Sequence, residues 1–217
     1  MMSGAVYMAA NKYPATSLIC MVGTDGALTI GLKKTAQIGD DWTLWDDWKL
    51  EYVGNSTEAY DYLRAQYLSG MTDYQELVEG GEITAYDHAA YADYLAAKQA
   101  LNSAASAADI SAALATLVTT SENLGKSIEA YKLYQAKYEE AVAFVEEKSE
   151  QFMGEGMEVL SDYVQSDEAP SDEYPLFKNG GALYILDNGP LNAEEIAAET
   201  AFLQQLMDDA IASGMAD

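Results

Sequence analysis

Three kinds of side chain in this sequence could do chemistry: one histidine, one cysteine and a large stock of carboxylates. His88 follows Asp87 at the start of an expected helix. A metal site or a Ser-His-Asp relay built on it needs a second histidine or a cysteine cluster at ligand spacing, or a placed nucleophile, and the spacing supplies none. His88 therefore reads as a solvated or partly packed histidine. Cys20 lies in the apolar run Leu18-Ile19-Cys20-Met21-Val22 with no base beside it. A reactive thiolate wants a positive, partly exposed setting, so Cys20 reads as a core thiol.

Carboxylates are the only catalytic raw material in quantity, with 36 Asp and Glu. Glycoside hydrolysis uses two of them at a fixed separation across a cleft. So many acids supply chance pairs, and Glu139-Glu140 and Glu146-Glu147 read as solvated helix faces. Gly154-Glu155-Gly156 lacks a preceding strand and a third glycine, so it reads as an interruption of a long helix and not as a phosphate loop. Sixteen Tyr and three Trp against four Phe favour rings with a polar edge, which can stack on sugar faces. Tyr131, Tyr134 and Tyr138 follow an apolar helical stripe and read as bundle packing with hydroxyls at the rim. Trp45, on the less apolar face of its expected strand, is the one ring assigned to a ligand. No catalytic residue, metal ligand or cofactor is assigned.

The elements that must position these residues change character near Asn55. Residues 1 to 54 mix Val, Ile, Thr, Trp and Tyr runs with Gly and Asp turn signals, which predicts strands at about Thr16 to Val22, Ala27 to Lys33 and Thr43 to Val53. Thr24-Asp25-Gly26 marks a hairpin. In the third strand, Trp42, Leu44, Asp46, Trp48, Leu50 and Tyr52 share the face expected to be buried. From Asn55 the period is helical, with capping signatures at Asn55-Ser56-Thr57-Glu58, Thr72-Asp73-Tyr74-Gln75, Thr84-Ala85-Tyr86-Asp87 and Asn192-Ala193-Glu194-Glu195. An Ala-rich helix pair is expected at about Tyr86 to Leu101 and Asp109 to Thr119, then a long amphipathic helix carrying Ile128, Tyr131, Tyr134, Tyr138, Val142, Val145 and Phe152. Residues 166 to 190 read as an irregular acidic loop with a short extended piece at Ala182 to Leu186. A last helix carries Ile196, Leu203, Leu206, Met207, Ala210 and Ile211. The expected fold is mainly α, α+β overall: a helical bundle over 55 to 217, preceded over 1 to 54 by a small antiparallel sheet.

A net charge of -25 repels phosphate backbones and anionic headgroups, so nucleic acid and membrane surfaces are poor partners. No stretch has the roughly 20 apolar residues of a spanning helix. The first residues lack the basic start and apolar run of a signal peptide, and the chain is expected to be an excerpt of a longer exported one.

The run from Gly26 to Lys34, followed by Asp41-Trp42-Thr43-Leu44-Trp45-Asp46-Asp47-Trp48-Lys49-Leu50-Glu51-Tyr52-Val53-Gly54, resembles the closing strands of a galactose-binding-like β-sandwich. Such domains recur in exported multidomain glycan-handling proteins of gut bacteria, where a helical segment commonly follows. The resemblance implies an incomplete sandwich over 1 to 54, since a whole one takes on the order of 100 residues. It carries over no ligand residue, and Asp46 and Asp47 match only the carboxylate pair of the motif. Some members hold a structural calcium, but the pair alone does not make a metal site. An orphaned half-sandwich exposes strand edges, which predicts pairing between two copies or packing on the chain's own helices.

The function expected is that of a non-enzymatic module of a surface or secreted protein: a helical spacer between neighbouring domains, with weak carbohydrate binding through aromatic rings. The alternatives are a fragment of an acid-based glycoside hydrolase and a helical protein-interaction domain with no glycan role.

Overall fold

The computed structural model describes residues 20, 27–30, 49–52, 54, 56–152, 154–172 and 175–214. Among them the chain forms seven α-helices: α1 (Thr57–Ser69), α2 (Tyr74–Glu79), α3 (His88–Ser103), α4 (Ala107–Lys148), α5 (Glu155–Gln165), α6 (Ala182–Asn188) and α7 (Ala193–Gly214). The mainly α expectation holds.

The small antiparallel sheet finds no support. Cys20, 27–30 and 49–52 fall within the three expected strands, and none of them is in a strand. Leu50 and Tyr52, expected on a buried face, are 77% and 86% exposed. An alternating pattern becomes a strand only when a neighbour pairs with it and one face is covered, and Leu50 and Tyr52 lie uncovered. Cys20 is likewise exposed and free, which corrects the core-thiol expectation. The rest of the three strands, with Trp45, Asp46 and Asp47 and the strand edges expected to pair two copies, lies outside the described residues.

By its internal contacts the chain divides into two compact units. The first comprises Met1–Thr72 with Ala105–Ile110. In it, Ser56 caps α1 by accepting from the Ala59 amide at 3.2 Å, and Leu63 is buried. Ser106 caps the start of α4, accepting from the Asp109 amide and donating to its carboxylate at 2.6 Å.

The second unit, Asp73–Ala104 with Ser111–Asp217, holds the main core. Its sequence logic is plainest in α4. The expected helix ending at Thr119 and the long helix after it are one helix of 42 residues. Within this unit Leu117, Leu124, Tyr131, Tyr138 and Val145 recur every seven residues along it, with Tyr134 and Ala141 on the same seam. All are buried except the half-buried Tyr138, and burying such a face stabilises by about 1.5 to 3 kcal/mol per large side chain. That seam carries the helix through the Thr-rich stretch near Thr119. There the Thr116, Thr119 and Thr120 hydroxyls each donate to the carbonyl four residues back at 3.1 Å, so none competes for a turn.

After Lys148 the chain breaks, as the two glycines imply, and Gly154 starts α5. Met157, Leu160, Tyr163 and Val164 form one buried stripe on α5, which packs along α7. On α7, Ile196, Glu199, Leu203, Leu206 and Ala210 take alternating steps of three and four along the buried face. Asn192 caps it with a reciprocal box, its side chain accepting from the Glu194 and Glu195 amides while its own amide donates to Glu195. The expected extended piece at Ala182 to Leu186 is instead α6. Its buried Ala182 and Ile185 are three apart, a helical step that so short an apolar run does not distinguish from a strand.

Candidate functional site

Two places in the second unit gather polar chemistry. The first is the interior of the core. Glu199 projects from α7 into the apolar seam and is only 6% exposed. A carboxylate there must be hydrogen-bonded or it is costly to bury. Its Oε1 accepts from the Tyr163 hydroxyl of α5 at 2.6 Å, and its Oε2 accepts from the Asn179 amide at 2.7 Å. Tyr163 has one proton, and Glu199 takes it, so the 2.8 Å contact between the Tyr134 and Tyr163 hydroxyls has Tyr134 as donor. Tyr134 of α4, Tyr163 of α5 and Glu199 of α7 thus form a directed chain ending on a carboxylate, whose other oxygen accepts from Asn179 of a loop.

Burial pushes the Tyr134 and Tyr163 phenols well above the ordinary tyrosine range, and for Tyr163 the neighbouring Tyr134 and Glu199 add to it. Tyr131, on the same seam, donates to the Leu191 carbonyl and accepts from the Leu191 amide, both at 3.1 Å, and burial pushes it up to about 12. The hydroxyls of Tyr131 and Tyr134 therefore lie inside the core, a correction to the expectation that they would sit at its rim. Among the described residues, no buried side-chain nitrogen or oxygen lacks a hydrogen-bond partner.

The second place is a run of aromatic rings where α2 meets α3. Tyr74 meets Tyr94 edge-on with centroids 5.7 Å apart, Tyr94 stacks on Tyr91 at 6.5 Å, Tyr91 meets Tyr86 at 5.1 Å, and Tyr86 lies 5.0 Å from the His88 ring. Tyr94 is buried, Tyr74, Tyr86 and Tyr91 are half-buried, and His88 is exposed. Tyr74 reaches its place because residue 125 of α4 is glycine: a Cβ there would fall 2.7 Å from the Tyr74 hydroxyl oxygen. Asp87 fixes the start of α3 by accepting from the Ala89 and Ala90 amides, and its own amide donates to the buried Ser127 hydroxyl at 2.7 Å.

Asp73 joins this run to charge. It caps α2, accepting from the Gln75 and Glu76 amides, and the Lys98 ammonium donates to both its oxygens at 2.7 Å. The hydrogen bond from Lys98 holds the Asp73 carboxyl below the usual carboxylate range. Tyr94 is pushed up to about 12, by burial first and by Asp73 second. The Tyr91 phenol is raised by burial and then by Tyr86, Glu79 and Asp73.

Of the residues singled out in sequence, the structure brings Tyr134 of the α4 stripe into the buried chain, ties Tyr131 to the Leu191 backbone and sets His88 beside Tyr86. Trp45 lies outside the described residues. Glu199 and Tyr163 were not singled out. The available signal was a charged residue three after Ile196 and four before Leu203, on the apolar face of its helix. Among the described residues, no group of three or more His, Cys, Asp or Glu could hold a metal ion, and no helix is long and apolar enough to cross a membrane. No family model matches the chain, and no curated protein and no solved structure is similar to it.

Proposed function

We propose that this chain is a non-enzymatic scaffold, a helical spacer that fixes neighbouring domains of a longer surface or secreted protein. The observation that carries this reading is the state of Glu199, the one buried carboxylate among the described residues. Both oxygens of Glu199 are occupied by Tyr163 and Asn179, so the group ties α5 and the loop before α6 to α7. A general acid needs a free face toward substrate, and a group saturated in this way serves rigidity instead. The 42-residue α4, held along one seam, supplies a stiff member of the kind a spacer needs. Weak carbohydrate binding, with Trp45 as the ring to test for it, belongs to the same proposal.

The test is to incubate the full chain with a panel of aryl glycosides at acid and neutral pH. No turnover above a heat-denatured control is expected. Turnover that Glu199→Gln abolishes would establish the hydrolase alternative and overturn the scaffold.

A further inference from the structure

We propose that the half-buried face formed by Tyr74, Tyr86 and Tyr91, with the Glu79 carboxylate beside it, receives a lysine side chain from a basic segment of a partner protein. This goes beyond the scaffold reading and stands or falls separately from it.

The faces of tyrosine rings carry negative potential, and an ammonium within about 6 Å of a ring centroid is attracted to them. Here three tyrosines with part of their surface in solvent are linked through Tyr94 into one run, held at fixed angles between α2 and α3. The surroundings add charge of the right sign. Asp73 accepts from the Tyr94 hydroxyl at 3.4 Å, Glu79 is tied to the same corner through Gln75, and the charges of both carboxylates raise the Tyr91 phenol. Asp73 is already engaged by Lys98, whose ammonium also donates to the Gln75 amide oxygen at 3.2 Å. The chain's own lysine thus demonstrates that an alkylammonium is accommodated at this corner, with its stem half-buried. Glu79 accepts from the Gln75 amide at 2.8 Å, and among the described residues it has no cationic partner. Its charge is the one left for an incoming cation.

Charge complementarity selects the occupant. A chain of net charge -25 draws basic segments toward it and repels acidic ones. A neutral sugar could use the rings and donate hydroxyls to Glu79, but it gains nothing from the net charge.

The experiment is a titration of the isotope-labelled full chain, followed by the ring resonances of Tyr86 and Tyr91. Four probes are used: a capped peptide bearing three lysines, the same peptide with glutamines in their place, tetramethylammonium chloride and a neutral tetrasaccharide. The lysine peptide is expected to shift both rings with saturation, and the glutamine peptide to leave them unmoved. Tyr91→Leu and Glu79→Gln should each weaken the lysine peptide at least fivefold, whereas Tyr91→Phe, which keeps the ring, should stay within twofold of the parent. Glu79 is exposed, so Glu79→Gln tests the proposal even if Tyr91→Leu perturbs folding. Equal binding of the lysine and glutamine peptides would overturn the proposal, as would indifference to Glu79→Gln. Tighter binding of the tetrasaccharide would overturn it in favour of sugar stacking. Tetramethylammonium binding as tightly as the peptide would overturn the assignment of the cation to a protein segment.

Discussion

Tyr163 and Glu199, 36 positions apart in the chain, share a 2.6 Å hydrogen bond inside the core. The bond joins α5 to α7, and Tyr134 of α4 donates into it from the other side. Because the chain is directed, its members are unequal. Tyr134→Phe removes one hydrogen bond and leaves Tyr163 still donating to Glu199, at an expected cost of about 1 kcal/mol. Tyr163→Phe strips Glu199 of a donor and Tyr134 of an acceptor at once, and is expected to cost about 2 to 4 kcal/mol. Urea unfolding of both variants measures the order. Equal losses would mean that Glu199 does not depend on Tyr163.

The buried phenols make a second prediction, at alkaline pH. The Tyr94 and Tyr131 pKa values are raised in the folded state to about 12 from the ordinary 10.0. Between these values the unfolded chain has released the proton and the folded chain has kept it. Stability is therefore full below pH 10 and falls as pH rises toward 12, by up to about 1.4 kcal/mol per unit for each fully retained proton. Absorbance at 295 nm, recorded with far-UV circular dichroism, should show an early tyrosine fraction ionising with helix content unchanged. The remainder should ionise only together with helix loss. A single smooth titration of all tyrosines in the folded state would contradict the burial described.

The turn before α7 yields a third. Gly189 has φ +51, and a Cβ on it would collide with the Tyr86 carbonyl oxygen and the His88 ring. The same approach lets the His88 amide donate to the Gly189 carbonyl at 3.0 Å. Gly81 has φ +74 with nothing within 4 Å of such a Cβ. Gly81→Ala should cost the left-handed strain alone, about 1 to 2 kcal/mol. Gly189→Ala adds the clash and should exceed it clearly, at about 3 kcal/mol or more. Thermal melts of the pair decide this, and similar losses would refute the close packing at Tyr86.

The local signals in the sequence had mixed reach. The capping box at Asn192 is met as written, since its partners are only three residues apart and the reciprocal geometry is local. The neighbouring signatures are shifted: Ser56, Asp73 and Asp87 cap their helices, while the boxes began one to three residues earlier. A short polar side chain can cap from several adjacent positions, and which one does so depends on where the first buried residue must point. At Leu50 and Tyr52 the alternating pattern was present and the burial was not.

The sequence by itself determined the mainly helical class, the stripe of α4 and α7 and the acidic outer faces, because periodicity and charge are local properties that survive without knowing a neighbour. The tertiary structure alone decided that α4 runs unbroken past Thr119, that Tyr134 turns its hydroxyl inward, and that Glu199 is a buried acceptor. The last two depend on partners far along the chain, Tyr163 and Asn179, and no spacing within one helix can state which distant group will arrive to satisfy a buried oxygen.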